Sequence, residues 1–198
     1  MDHYQAIVRG FQETVELITM SVDRLAPQLE HAGQLCSQAL LGERKILACG
    51  NGSGNALAQI FCTSLLHRYE HDRPALPAMA LGSDANTLSA IAAGSGGSEV
   101  YAKQVSALGQ DGDLLLGVTV GEAHASVIQA VRAAHGRGMT VVILSGGDCP
   151  NISSLLLPED CQLHVESLQE PRIAELHMML IHCLCEQIDQ SLFGSYHS

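Results

Sequence analysis

Short apolar segments alternate with helical patterns over most of the chain, and this alternation constrains the fold more than any other feature of the sequence. The segments are almost continuously apolar, which is typical of parallel strands covered by helices on both faces. The predicted strands are residues 45–49, 78–81, 114–120, 140–144 and 161–165. Helices are predicted at residues 56–70, 86–93, 99–108, 125–136 and 171–193. The sequence therefore predicts an α/β fold with a parallel sheet between two layers of helices.

The first forty residues are predicted to form a pair of helices. Apolar side chains such as Ile7 and Phe11 recur at helical spacing, and Pro27 interrupts the pattern. Proline disfavours a helix interior, so a corner between two helices is expected there. We predict that this helical pair, residues 1–42, packs on a core domain of residues 43–198 and lies at subunit interfaces.

Composition argues against two classes of partner. The formal net charge of −11 would repel a nucleic-acid backbone, and no run of basic residues offsets it. The most apolar helical stretch, residues 176–188, is too short and polar to span a membrane, which takes about 20 apolar residues.

The first twelve residues lack the pattern of a signal peptide. Seven cysteines without a CxxC pair are expected to be reduced, so we predict a cytoplasmic protein.

Two loops are the best candidates for binding a ligand. In an open parallel sheet, ligands bind beyond the carboxyl ends of the strands. Residues 50–55 form a glycine-rich turn between a strand and a helix, where backbone N–H groups can approach an anion. The second loop follows Val118. The predicted ligand-binding residues are Asn51, Gly52, Ser53 and Thr119.

Several motifs occur in a distinctive order along the chain. They include Cys49-Gly50-Asn51-Gly52, Arg73-Pro74, Glu99-Val100-Tyr101-Ala102-Lys103-Gln104, Gly112-Asp113 and Arg172-Ile173 with Glu175 and His177. In this order and spacing the chain resembles the sugar isomerase (SIS) domain family, and within it the phosphoheptose isomerase/DiaA group. The resemblance implies a three-layer sandwich with five parallel strands, a homotetramer with sites near subunit interfaces, and a phosphosugar ligand. It also adds Arg68 to the ligand-binding candidates.

The resemblance assigns catalytic positions, and most of them hold residues without the required chemistry. In the family, a His and a Glu one helical turn apart help bind a metal, and the Glu acts as the base. Ile60 and Ser64 stand at these positions, and Ala174 replaces a Gln of the last helix. His182 matches the His that serves as acid and metal ligand, so it is the candidate catalytic residue. No cofactor is expected, and zinc only if His182 finds other ligands.

The second loop departs from the family as well. The family holds the sugar phosphate with a Ser-Thr-Ser-Gly-Asn-Ser loop, of which only the Thr119 hydroxyl remains. Glu122 instead places a carboxylate beside the expected anion. Two unit charges ~4 Å apart repel by roughly 4 kcal/mol at an effective dielectric near 20. The dipole at a helix N-terminus stabilises an anion by only about 0.3–1 kcal/mol. Anion binding is therefore weakened unless Glu122 turns outward or is paired.

These departures favour a protein that has lost isomerase activity. The resemblance then implies a DiaA-type protein that binds the replication initiator DnaA and promotes its assembly at the origin. Leu192 and Phe193 would contribute to assembly or partner binding, or would simply pack against another subunit. Two alternatives remain open. One is a phosphoheptose isomerase that converts sedoheptulose 7-phosphate to D-glycero-D-manno-heptose 7-phosphate, and the other is a sensor that binds a phosphosugar without converting it.

Overall fold

A five-stranded parallel sheet forms the centre of the computed structural model, which describes residues 2–194. The strands are β1 (Ile46–Gly50), β2 (Ala78–Ala80), β3 (Leu114–Val118), β4 (Thr140–Gly146) and β5 (Cys161–Val165). Their order across the sheet is β2-β1-β3-β4-β5, and every neighbouring pair is parallel. The predicted α/β class and parallel sheet are confirmed, with strand bounds within two residues of those expected.

Helices cover both faces of the sheet. They are α1 (His3–Leu41), α2 (Ser53–Leu66), α3 (Ala85–Ser95), α4 (Ala102–Leu108), α5 (Ala125–His135), α6 (Pro150–Ser153) and α7 (Glu170–Phe193). Helices α1, α2 and α7 pack on one face and α4 and α5 on the other. The strands serve both cores in alternation, since Ala48 and Leu116 contact the first whereas Leu47 and Leu115 contact the second.

The sequence analysis was wrong about the N-terminal region, because α1 is a single helix that contains Pro27. Proline removes one hydrogen bond from a helix, but Pro27 is exposed, so water can satisfy the carbonyl that is freed. Leu25 and Ala32, on either side of it, are buried in the core that α1 shares with α7 and β5. Packing on both sides of the proline therefore keeps the helix continuous.

Two smaller elements also differ from expectation. The short helix α6 was not predicted, because its four residues are too few to show a helical period. The helices predicted at residues 86–93 and 99–108 leave a gap between them, yet α3 continues to Ser95 and is followed by a 3₁₀ turn at Gly97–Glu99. Only at Gly96 does the backbone enter a region, with φ of 95°, that requires glycine.

Within residues 2–194, no helix is both long and apolar enough to cross a membrane.

All seven cysteines are free thiols, as expected, and six of them are buried. Burial raises the pKa of Cys36, Cys49, Cys62 and Cys185 to about 12. These thiols therefore stay protonated at neutral pH and act as small apolar core residues.

Candidate functional site

The carboxyl ends of the central strands open onto a cavity of about 430 Å³. The register pairs Gly50 with Val118 and Val118 with Leu144, so the loops after β1, β3 and β4 begin at the same edge of the sheet. We call this cavity, together with the one that adjoins it, the strand-end cleft. Four predicted ligand-binding residues line it, namely Asn51, Gly52, Ser53 and Thr119.

The glycine-rich loop packs directly against the end of β3. A Cβ on Gly54 would lie 2.5 Å from the Val118 carbonyl oxygen, and one on Gly50 would lie 2.7 Å from the same atom. Neither position can hold a side chain without displacing the backbone. Gly52 precedes α2 with φ of 56°, in the left-handed region that favours glycine. The three glycines thus fix the turn that presents Ser53 to the cleft.

Side-chain hydrogen bonds from other parts of the chain also hold the glycine-rich loop in place. Asn51 Oδ1 accepts from Ser126 Oγ, on α5, at 2.9 Å. The Tyr101 hydroxyl donates to the Gly50 carbonyl oxygen. Burial raises the pKa of Tyr101 to about 12, so this donor keeps its proton at neutral pH. The loop is therefore positioned before any ligand binds, which lowers the entropic cost of binding.

Thr119 carries a hydroxyl that needs a partner. The residue is 4% exposed and lines the cleft. Its Oγ1 has no hydrogen-bond partner among residues 2–194. Leaving a buried hydroxyl unsatisfied costs about 1–3 kcal/mol, which a ligand atom in the cleft can recover.

Two helices begin at the cleft and contribute partial positive charge. Helix α2 starts at Ser53 and α5 at Ala125, directly after His124, which also lines the cavity. Neither helix has a side-chain N-cap. The N–H groups of Gly54 and Asn55 already donate to the carbonyl oxygens of Asn51 and Gly52. The helix dipole still favours an anion at such a position.

An adjoining cavity of about 460 Å³ brings acidic residues to the cleft. It shares Gly121, Glu122 and Glu170 with the first cavity and adds Asp148. Glu170 begins α7, and its Oε1 lies 2.6 Å from where a Cβ on Gly121 would be. The sequence analysis overlooked Asp148 and Glu170. Their positions just after β4 and β5 were the available signal, because loops at that edge converge.

Comparison with known proteins accounts for this architecture. Residues 11–146 match the SIS domain family. The chain belongs to that family. Within it, this SIS protein is 44% identical over 195 residues to the phosphoheptose isomerase of Chromohalobacter salexigens, covering 98% of this chain and 99% of the relative. It is 46% identical over 194 residues to the phosphoheptose isomerase of Alkalilimnicola ehrlichii, with coverage of 98% and 99%. The chain therefore groups with the phosphoheptose isomerases.

Solved structures agree with the sequence relatives. A phosphoheptose isomerase from Francisella tularensis superposes with a TM-score of 0.93 at 35% identity, covering 96% of this chain and all of that one. The phosphoheptose isomerase of Neisseria gonorrhoeae gives a TM-score of 0.90 at 36% identity, with coverage of 94% and 98%. The SIS assignment made from sequence motifs is confirmed.

The functional prediction, in contrast, is wrong. A non-catalytic DiaA-type protein acting through DnaA was expected, but the full-length relatives are named phosphoheptose isomerases. The leaning against enzyme activity is likewise unsupported. The prediction gave the substitutions at Ile60 and Ser64 more weight than a similarity spread over the whole chain. The enzymatic alternative now has the better support.

Two predicted site residues of this SIS protein lie outside the strand-end cleft of their own chain. His182 is exposed and stacks on Tyr69, with ring centroids 5.7 Å apart. It follows Glu170 by twelve residues of α7, a rise of about 18 Å. Arg68 lies beyond the end of α2 and forms an ion pair with Asp72. The structure therefore brings Asn51, Gly52, Ser53 and Thr119 together, but not His182 or Arg68.

The residues at the family's metal positions do not fit zinc. Ile60 and Ala174 have no ligand atom, Ser64 is a poor ligand, and only His182 is of a type that zinc prefers. Among the described residues, no three His, Cys, Asp or Glu side chains are grouped so that they could hold a metal ion. The side chains at these positions therefore cannot hold a zinc ion by themselves.

Leu192 and Phe193 pack against the core of their own chain. The guanidinium carbon of Arg73 lies 5.9 Å from the centroid of the Phe193 ring. The Arg73 side chain is fully buried, and its Nε donates to Asp189 Oδ1 at 2.8 Å. The end of α7 is thus fixed within the subunit, and a role for Leu192 and Phe193 in assembly stays a prediction.

Proposed function

We propose that this SIS protein is a sugar-phosphate isomerase that binds its substrate in the strand-end cleft. The observation that carries the proposal is the unpartnered hydroxyl of Thr119, which lines the same cavity as Ser53 at the start of α2 and His124 directly before α5. This arrangement suits the phosphate of a phosphosugar. Full-length similarity to phosphoheptose isomerases supports sedoheptulose 7-phosphate as substrate and D-glycero-D-manno-heptose 7-phosphate as product.

The cleft contains side chains that can transfer protons. Interconversion of a ketose and an aldose requires a base to remove a proton from the carbon beside the carbonyl and to return it to the neighbouring carbon. An acid must protonate the carbonyl oxygen in the same step and then, as a base, take the proton from the hydroxyl oxygen that becomes the new carbonyl. Glu122, Glu170 and His124 line the cavity that contains Thr119. We assign the base to Glu170, because its carboxylate lies at Gly121 between the two cavities, and the acid to His124.

The test is turnover of sedoheptulose 7-phosphate by the full-length protein, followed by ¹H NMR of the aldose product, with and without added zinc. Glu170→Gln should lower the rate by about 10²–10⁴, the usual contribution of a positioned acid or base. Glu159→Gln, an exposed acid outside the cleft, should retain the wild-type rate. Full activity in Glu170→Gln would contradict the assignment of the base, and no turnover under any condition would contradict isomerase function.

A second candidate function is binding of a phosphosugar without conversion. Ile60, Ser64 and Ala174 favour it, because none of them can exchange a proton at neutral pH. A ligand at 100 times its dissociation constant should stabilise the protein by about 2.7 kcal/mol. A melting shift without turnover would support this function over the enzymatic one.

We also propose that the protein is a cytoplasmic homotetramer. Reduced, buried cysteines support the location. An exposed apolar stripe on α1 supports the assembly, because such a face gains stability when another copy of the chain covers it. Assembly would also give Arg68 and His182 a route to a cleft, since neither reaches the cleft of its own subunit.

A further inference from the structure

The hydrogen bond between α5 and the glycine-rich loop determines which way one amide of the strand-end cleft faces. Ser126 Oγ donates to Asn51 Oδ1 at 2.9 Å. Ser126 is only 5% exposed, so water competes little for this bond. Asn51 lines the cavity, and its Nδ2 leaves the same carbon as Oδ1 in a different direction. With Oδ1 bound to Ser126, the two N–H donors of Nδ2 remain for the cavity.

The opposite orientation of this amide would leave a buried proton without an acceptor. If Asn51 Nδ2 donated to Ser126, the serine oxygen would be the acceptor and its own proton would need a further partner. The hydroxyl forms no other hydrogen bond within residues 2–194, and an unsatisfied buried donor is unfavourable. Oδ1 would also face a cavity that is lined by the acidic side chains of Glu122 and Glu170. Ser126 therefore selects the orientation that offers donors to a ligand.

Side-chain donors matter in this cleft because most N–H groups in the first turn of α2 are already used. Those of Gly54, Asn55 and Ala56 donate to carbonyl oxygens of the same loop. An anion at this position therefore depends on side chains for most of its hydrogen bonds. The amide of Asn51 and the hydroxyl of Thr119, which has no partner within residues 2–194, line the same cavity. Together they can donate to the oxygens of one phosphate group.

We infer that Ser126 is a positioning residue for the phosphate of the substrate and that it acts through Asn51. Ser126 does not line the cavity itself, so its effect on affinity passes through the group that it holds. Without the serine hydroxyl the Asn51 amide is free to flip, and part of the population presents Oδ1, an acceptor, to the phosphate. Affinity then falls with the fraction of molecules whose amide faces correctly. The inference rests on the proposed function, to whose binding site it adds a residue.

The test is a double-mutant cycle, measured by isothermal titration calorimetry of the full-length protein with sedoheptulose 7-phosphate. Ser126→Ala should weaken binding about 3- to 10-fold, the effect of one hydrogen bond. In the Asn51→Ala background the same change should have no effect, because the group that Ser126 holds is gone. Asn51→Asp keeps an acceptor for Ser126 but replaces the donors by a charged oxygen, so it should weaken binding more than Asn51→Ala does. Ser37→Ala removes a buried hydroxyl on α1 and should retain the wild-type affinity.

The outcomes separate this inference from the proposed function. Equal weakening by Ser126→Ala in both backgrounds would overturn the inference, because the serine would then act on the fold of α5 and not on the amide. Wild-type affinity in Ser126→Ala or in Asn51→Asp would also overturn it, and either result would leave the proposed function unaffected. Coupled losses without turnover of the sugar would uphold the inference and favour binding over isomerisation. Failure of the folded wild-type protein to bind, checked by circular dichroism, would remove the proposed function and the inference together.

Discussion

At the scale of single residues, the buried hydroxyl of Thr119 supports the proposed binding site. Its hydroxyl is desolvated and unpartnered within residues 2–194, so it weakens the unliganded protein. Evolution tolerates such a cost where a ligand supplies the missing hydrogen bond. Ser37 Oγ, on α1, is also buried without a partner but is remote from the cleft, which makes it a matched control.

Thr119→Val should therefore separate stability from binding. The substitution keeps the shape of the side chain and removes the hydroxyl, so the melting temperature should be unchanged or higher. Affinity for a bound phosphosugar should fall about 10- to 100-fold, the loss expected for a hydrogen bond to a charged group. Calorimetric titration with sedoheptulose 7-phosphate measures the second effect. Ser37→Ala should leave affinity unchanged, and an equal loss in both variants would count against a ligand contact at Thr119.

His177 is a buried histidine with a structural role. Its Nε2 donates to the Ser145 carbonyl oxygen at 3.1 Å, and burial lowers its pKa from 6.5 to about 4. The neutral form is thus preferred in the folded protein. The contribution of neutral His177 to the free energy of unfolding is fully present above pH 6.5 and is lost as the pH falls towards 4. The total is about 3 kcal/mol, of which about 2 kcal/mol is lost by pH 5.

His177→Gln should remove this dependence, because glutamine can still donate to the Ser145 carbonyl and does not titrate. Urea unfolding at pH 7 and pH 5 measures the change in free energy for both proteins. The difference between the two pH values should be about 2 kcal/mol smaller in the variant. If both proteins lose the same stability on acidification, another group is responsible.

At the scale of elements, the turn between β1 and α2 depends on glycine. Gly54→Ala would place its Cβ 2.5 Å from the Val118 carbonyl oxygen, so the loop or β3 must move. We expect a loss of about 1–3 kcal/mol in the free energy of unfolding, together with weaker ligand binding. Gly94→Ala is the control, since its Cβ would meet no atom within 4 Å and α3 should gain about 0.5–1 kcal/mol. Chemical denaturation of both variants tests the contrast, and a neutral Gly54→Ala would refute it.

Periodicity predicted the sheet well because each central strand is short, apolar and bounded by glycine or polar residues. It failed at Pro27, where the local preference of proline favours a corner, but burial of Leu25 and Ala32 on either side stabilises one continuous helix.

The site was predicted only in part, because a local pattern does not contain the long-range packing of the chain. Loop residues such as Ser53 carry a motif, whereas Asp148 and Glu170 reach the cleft only through the order of β4 and β5 in the sheet.

At the scale of the whole molecule, one subunit leaves an apolar surface uncovered. Tyr4, Ile7, Phe11 and Val15 are each at least 60% exposed and recur every three or four residues along one face of α1. This spacing forms the kind of seam that packs against a second helix. The N-terminal end of α1 therefore contributes little to the core of its own subunit and is available for assembly.

Phe11→Asp should break that assembly. A charge at the centre of an apolar seam would be buried without a partner, so the tetramer should dissociate into smaller species. Light scattering coupled to size-exclusion chromatography measures the mass, and the wild type should have four times the mass of one chain. Met20→Asp makes the same change nine residues along, on the opposite face of α1, and should retain the tetramer. Dissociation by both variants, or by neither, would exclude the apolar stripe as the interface. A Phe11→Asp variant that dissociates and still binds ligand would show that each cleft is complete within one subunit.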